Sequence, residues 1–409
     1  MSRHYPEEII VNIFSRLPVK SIKRFNCVCK PWLKLFSDPK FVKLCLKHAL
    51  KNSNFKILAS DLKRFYSLVF GLPLSFTIGS SSSSSSASLS SFSLALPALS
   101  FSMPMLPILD SATKVNLPFG TGKYGINLLG TCNGLLSFLG TPDTVCFWNP
   151  TTNEYKRVPS ASIERPEGLG MIRSLRYGFG HDSENDVYKM ASLVDFCDYG
   201  CTVKVLTLGT EEWRLKPHVP YGFQHGHLYG VLVNEAVHWV ANPLSATLPY
   251  DGHRIILSFD VKNEMFKEVA QPQNLNEPTH ITLGEFGRKL CLVDHDCHTV
   301  SVNFWVMNEY GRSESWTRQI IISLHTVIPS FKYVIPVQRF RNGEIILETD
   351  NGTLILYDPK EENCRELNIR KFNKHFEVTT YVESLVSPKQ ITLVKQEQAG
   401  MVIETKGEV

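Results

Sequence analysis

From about residue 113 onward this chain repeats one design: an apolar strand, a tight turn, a second strand, then a polar turn leading to an aromatic residue or leucine on a further strand. The clearest copies span 133–159, 177–215, 230–269, 288–320 and 343–367. Tyr155, Trp213, Phe266, Trp316 and Leu367 end the five units, at intervals of 58, 53, 50 and 51 residues. A single four-stranded unit cannot bury both faces of its sheet, so units of this length stack radially and the ring covers most of their edges. The period therefore predicts a β-propeller close to the kelch spacing. In it Trp213, Phe266 and Trp316 would pack between blades rather than form a ligand box. Two further strands at 54–60 and 64–70 and a last one at 379–386 imply a ring of about six blades, with the two ends of the domain sharing one blade. A sandwich, or an irregular ring of five to seven blades, is the other arrangement the pattern allows.

The first fifty residues read differently. In PEEIIVNIFSRLPVKSIKRFNCVCKPW (6–32), Pro6 suits a first helical turn and Glu7 and Glu8 complement the positive end of the helix dipole. Ile9, Ile10, Val11, Ile13, Phe14 and Leu17 make a stripe wider than one buried face needs, and Pro18 stops the helix at or before Leu17. A second short helix is expected from Lys20 to Val28 and a third from Pro31. A fourth should start at Asp38 and Pro39 as cap and first turn. Helices this short bury too little of their own surface for so much apolar residue, which points to an intermolecular helical interface.

The run Pro6, Glu7, Glu8, Ile9, Ile10, Ile13, Leu17, Pro18, Val19, Lys20, Ser21, Arg24, Phe25, Val28, Cys29, Lys30, Trp32 resembles the F-box of plant F-box proteins. It departs from that family at Tyr5, where Leu is usual, and at Pro31, where Ser or Arg is common. The segments GTCNGLL, FWNPTTNEYKRVP, YGFGHDSENDVYKM, VKVLTLGTEEWR, GVLVNEAVHWVA and IILSFDVKNEMFKE resemble the F-box-associated interaction domain. The fold expected is α+β and multidomain: a helical F-box at 1–50, then a mainly β, kelch-like propeller at 54–388, with a flexible tail at 389–409. The resemblance implies a substrate-recognition subunit of an SCF-type cullin E3 ubiquitin ligase. Its F-box would bind the Skp-type adaptor and its propeller an unknown target protein. Pro6, Ile9, Ile13, Phe14, Leu17, Pro18, Val28 and Trp32 are the residues expected to contact the adaptor or to shape that contact. Target binding is expected at loops of one propeller mouth, with 160–171, 241–253 and 271–280 the longest irregular candidates.

Charge agrees with a protein partner for the helices. Residues 1–51 hold eleven Lys and Arg against three acids, a surplus of +8 in a chain of net charge +4. These cations alternate with an apolar stripe instead of forming a run, which favours an acidic protein over nucleic acid. The ten cysteines show no paired C-x-x-C sets, so no zinc module is expected, and no apolar signal core opens the chain. A reducing compartment, cytoplasm or nucleus, is the expectation.

The serine-rich stretch 79–93 and the apolar run to Leu109 form an insertion at 79–110, expected to be disordered because such a composition cannot build a core. The run is broken by Pro97, Pro104 and Pro107, so a membrane span is not expected. GTGKYG (120–125) fits a glycine-rich phosphate loop literally, yet strand-like sequence follows where a helix would be needed. His295, Asp296, Cys297 and His298 fall in what reads as a hairpin turn, and His225 and His227 as a surface pair. No catalytic residue, metal or cofactor is expected. A propeller glycosidase would need acidic residues on the innermost strands, where apolar residues dominate. The remaining alternative is a scaffold that binds the adaptor without joining a cullin.

Overall fold

The computed structural model describes residues 6–52, 55–61, 63–68, 112–121, 125–140, 143–164, 171–197, 199–223, 227–244, 254–273, 275, 280–296, 301–323, 331–340, 342–367 and 376–392. Four helices lead the chain: α1 (Glu7–Phe14), α2 (Val19–Phe25), α3 (Lys30–Phe36) and α4 (Pro39–Lys51). Prolines set their starts. Pro6 and Pro18 stand at the N-caps of α1 and α2, and Pro31 and Pro39 in the first turns of α3 and α4, where a missing N–H costs nothing. The Asp38 carboxylate caps α4, accepting from the Lys40 N–H at 2.7 Å. The first helix is shorter than its apolar run. It ends at Phe14, and Leu17, biased away from helical geometry by the proline after it, closes a turn instead.

Beyond the helices, six antiparallel sheets stand in a ring, each innermost strand touching the next. Blade 1 combines Phe55–Ser60, Phe65–Leu68 and Thr113–Val115 with the late strand Glu377–Val382 as its innermost member. The register Phe55↔Val382 to Ser60↔Glu377 closes the ring, as the sequence predicts. Blades 2, 3, 5 and 6 run from innermost strands Asn127–Cys132, Ile172–Asp182, His280–Phe286 and Val334–Arg339 to outermost Glu154–Pro159, Trp213–Val219, Trp316–Ser323 and Asn363–Glu366. In blade 4 the inner edge of Ala236–Pro243 is shared by Tyr221–Gly222 and Val231–Val233, and Met265–Val269 lies outermost. The repeats at 133, 288 and 343 begin one strand late. Their innermost strands, NLLGTC, HITLGEF and VIPVQR, carry Gly or Pro where neighbours approach closely and so lack a clean alternation.

The core is divided by blade. Six clusters of buried side chains fill the six gaps between neighbouring blades, and a seventh lies inside the helices. The five recurrent residues sit in these gaps. Trp213 of blade 3 donates its indole N–H to Pro159 O of blade 2 at 2.9 Å, and Trp316 of blade 5 donates to Ala270 O at 2.8 Å, just past blade 4. Phe266 packs at 5.0 Å on Phe259 in the gap between blades 3 and 4, and Tyr155 and Leu367 join the clusters on either side of blade 1.

Tight turns hold the hairpins. Asn133 and Gly134 both have positive φ, the mirror-image turn that matches strand twist, and Asn234–Glu235 and Gly287–Arg288 repeat it. The outer hairpins share a second device. Asn153 N donates to Asn149 O and Glu264 N to Asp260 O, each at 2.8 Å, with Asn153 and Glu264 at positive φ just before the last strand. The expected insertion at 79–110 lies outside the described residues. Of the expected tail, Lys389–Thr392 are described: Gln390–Thr392 form a 3-10 turn and Ile391 packs against the gap between blades 2 and 3.

Candidate functional site

The helices split the eight expected contact residues in two. Phe14, Leu17 and Trp32 are half-buried packing residues around Ile22, Phe36, Phe41 and Cys45. Phe14 is the hub, with Trp32, Phe36 and Phe25 at 4.8, 5.2 and 5.8 Å between ring centroids. Pro6, Ile9, Ile13, Pro18 and Val28 are exposed. Ile9, Ile13 and Val28 leave 48, 56 and 59 % of their surface open, and Ile9 and Ile13, four residues apart, share one face of α1. Leu33, 47 % exposed, belongs with them and falls outside the eight. Its signal is the wide apolar pattern KPWLKLF, in which Trp32 and Phe36 already account for the inner face. Four of the ten large exposed apolar side chains among the described residues thus lie in this short module, where a partner is needed to cover them.

This module is fastened to one face of the ring. Leu46 of α4 enters the gap between blades 2 and 3 beside Cys132 and Leu135, with Val42, Ala49 and Leu50 packed around it. Lys23 Nζ donates to Thr152 O at 2.9 Å in the last turn of blade 2, and Lys43 pairs with Asp186 at 2.8 Å in the first turn of blade 3. A wedge of chain after Val382 fills the joint: Leu385 packs on the helical core, and Asn149 Nδ2 donates to Ser384 O and Val386 O at 3.0 and 2.8 Å. Gly134, at positive φ, lets Val382 O and Ser384 pass so close that a Cβ has no room.

Strand direction then separates two faces. The helices meet turns joining first to second and third to fourth strands. The ends of 160–171, 241–253 and 271–280 all leave from the opposite rim, since they join blades or second to third strands. Most residues of those three loops lie outside the described set. The connection from Leu68 to Ala112 departs and returns on the helical face.

At the ring axis the structure adds carboxyl groups that the innermost-strand pattern did not foretell. Glu377 opens the innermost strand of blade 1, and Glu348, 4 % exposed, stands on the second strand of blade 6. Burial, and for Glu348 the neighbouring Glu377, push both above the usual carboxylate range. His227 is not a surface residue. It stacks on Tyr229 at 5.0 Å inside the axis, and burial with the nearby Arg176 guanidinium pushes its imidazole down to about 4; His225 lies outside the described residues. His295 and Asp296 end the strand Lys289–Asp296, and Cys297 and His298 lie outside the described residues. Among the described residues no group of three or more His, Cys, Asp or Glu is placed to hold a metal, and no helix is long and apolar enough to cross a membrane. Strand Asn127–Cys132 follows the glycine-rich string at 120–125, so no helix N-terminus stands there to receive a phosphate. The nine described cysteines are unpaired, and burial pushes the Cys45 thiol up to about 12.

Comparison with known proteins agrees with both halves. The F-box-like profile matches residues 4–47 and that of the F-box associated beta propeller domain matches residues 81–391. The F-box protein CPR1 of Arabidopsis thaliana is 27% identical over 406 residues, covering 93% of this chain and 88% of the relative. F-box/kelch-repeat protein At3g23880 of the same plant is 25% identical over 398 residues, covering 94% and 96%, and F-box protein At3g07870 is 25% identical over 425 residues, covering 93% and 91%.

Proposed function

Because this chain belongs to the F-box proteins that carry an F-box associated β-propeller, we propose that it is the substrate-recognition subunit of an SCF-type cullin ubiquitin ligase. The F-box implies a Skp-type adaptor as partner. The observation that carries the reading is the division of faces: exposed Ile9, Ile13, Val28 and Leu33 on a module fixed to one side of the ring, and the ends of 160–171, 241–253 and 271–280 at the opposite rim. Pro6 and Pro18 frame that contact, while Phe14, Leu17 and Trp32 hold its shape.

Chemistry is left to other subunits. The chain contributes proximity: a target held at the far rim is presented repeatedly to the charged conjugating enzyme, which raises its effective concentration there. Cytosol or nucleus is the compartment that unpaired cysteines favour. A glycosidase needs two carboxyl groups with pKa values pushed apart, one ionised and one protonated. Glu348 and Glu377 are both pushed up, which weighs against that reading.

The test is reconstitution. The full chain, a purified Skp-type adaptor and a cullin should co-elute on size exclusion, and exchanging 160–171, 241–253 and 271–280 for those of a paralogue should change which protein is captured without changing that co-elution. Adaptor without cullin would favour the scaffold, and unchanged capture would remove the loops from target choice.

A further inference from the structure

A cavity of about 910 Å³ lies at the ring axis and reaches from α4 to the segment His227–Gly230. That segment is tied to the innermost strand of blade 3: Tyr177 N donates to Leu228 O at 2.7 Å and Gly230 N to Tyr177 O at 2.9 Å. The volume falls within the range of small-molecule sites.

Three polar side chains in its wall are under-used, two of them buried and His227 half-buried. Arg176, 6 % exposed, donates to the carbonyl of its neighbour Leu175 at 2.8 Å and lies over the Phe223 ring at 5.5 Å. Among the described residues it forms no ion pair. Asp195, the carboxylate that acts on it most, lies outside the cavity wall and is engaged by Arg173 at 3.5 Å, Ser174 Oγ at 3.2 Å and Phe223 N at 2.8 Å. One carboxylate thus serves two guanidinium groups, leaving a surplus positive charge. Trp239, 4 % exposed, has a buried indole N–H with no partner, and its ring lies so close to Gly178 and Gly230 that neither position has room for a Cβ. His227 Nε2 is likewise buried without a partner. Leaving a buried charge uncompensated and buried donors unmade is costly. Arg176 and Trp239 are donors only, and His227 Nε2 donates in one tautomer, so the missing partner is an acceptor bearing negative charge.

We propose that this cavity binds a small organic anion, its carboxylate or sulfonate head among Arg176, Trp239 Nε1 and His227 and its apolar body along Val231, Ile281 and Leu283. At the far end Lys47 and Lys51, four residues apart on one face of α4, border the cavity beside Lys43, which is paired with Asp186, and Glu235 and Glu285 stand in the same wall. Leu46 and Leu50 of α4 wall the same space, so an occupant touches both the helical module and the ring. The site stands on the cavity itself and does not depend on the ligase reading.

The test uses the full-length chain and two probes with the same aromatic body, anionic 8-anilinonaphthalene-1-sulfonate and uncharged N-phenyl-1-naphthylamine, titrated by fluorescence. The expected result is one sulfonate bound per chain, about tenfold tighter than the neutral probe. Trp239→Phe removes the N–H together with one ring of the indole, and Arg176→Gln the charge together with part of the side chain's length, so the neutral probe reads the change of shape. Each should weaken the sulfonate about tenfold and move the neutral probe less than about twofold. Thermal unfolding identifies which variants keep the wild-type fold, and those variants alone are compared. Equal affinity for the two probes, no saturable sulfonate binding, or unchanged sulfonate affinity in a variant that unfolds like wild type would overturn the proposal.

Discussion

Asn149 joins three pieces of the molecule through one fully buried amide, and replacing it by alanine probes that joint. Its Oδ1 accepts from Thr151 N and Thr152 N at 2.8 and 3.3 Å, shaping the turn whose Thr152 carbonyl receives Lys23 from α2. Its Nδ2 donates to Val386 O, Ser384 O and Ser384 Oγ at 2.8, 3.0 and 3.2 Å, holding the wedge that Leu385 shares with the helical core. Alanine would leave two or three of these groups unpaired. At about 1–3 kcal/mol each, partly offset where the turn relaxes into water, Asn149→Ala should cost about 3–5 kcal/mol. Asn149→Asp is the sharper control. It keeps an acceptor for the turn but aims a carboxylate oxygen at two carbonyls, so it should be no more stable than alanine and should worsen as pH rises through its ionisation. Urea unfolding followed by tryptophan fluorescence, to which Trp148 buried next to it contributes, reads both. A loss under about 1 kcal/mol for alanine, or an aspartate variant as stable as wild type, would refute the reasoning.

Phe14→Ala, at the hub of four aromatic rings, should cost about 3–5 kcal/mol in urea unfolding and abolish adaptor capture with the fold of the module. Trp213→Phe, which loses the interblade hydrogen bond to Pro159 and one ring of the indole at a half-buried site, should cost about 1–2 kcal/mol in the same assay. Glu264 gives a pH signature. Burial alone would raise its pKa, but Arg214 and Lys216 at 2.7 Å and Lys189 at 3.2 Å outweigh it and hold the carboxyl down to about 2. Its stabilisation is therefore complete above the ordinary value of 4.5 and is lost as pH falls toward 2. Across that window wild type should lose about 2–3 kcal/mol that Glu264→Gln does not, read as converging melting curves at low pH.

What could be read in the chain follows from how local its cause is. Pro6, Pro18, Pro31 and Pro39 place the helices because proline acts within one turn, and Asn133-Gly134 marks its hairpin because the turn demands those residues. The recurrent Trp213, Phe266 and Trp316 were legible as interblade packing because each repeat must bury the same face. Leu33 is legible only by elimination, once Trp32 and Phe36 account for the inner face, since a short helix offers too few positions for a full stripe. The axial cluster was hidden for a different reason. Arg176, His227, Trp239, Glu348 and Glu377 come from blades 3, 4, 6 and 1, and only closure of the ring brings them near one axis. No spacing in the sequence encodes that meeting.

On the proposed function, exposed α1 residues, and not the fold of the module as such, hold the adaptor. Isothermal titration of purified Skp-type adaptor into wild type and into Ile9→Asp with Ile13→Asp tests it most directly. The double variant should unfold within about 1 kcal/mol of wild type, since about half of each side chain is already exposed and neither belongs to the helical core, yet bind at least about a hundredfold more weakly. Wild-type affinity in a variant that folds normally would contradict it.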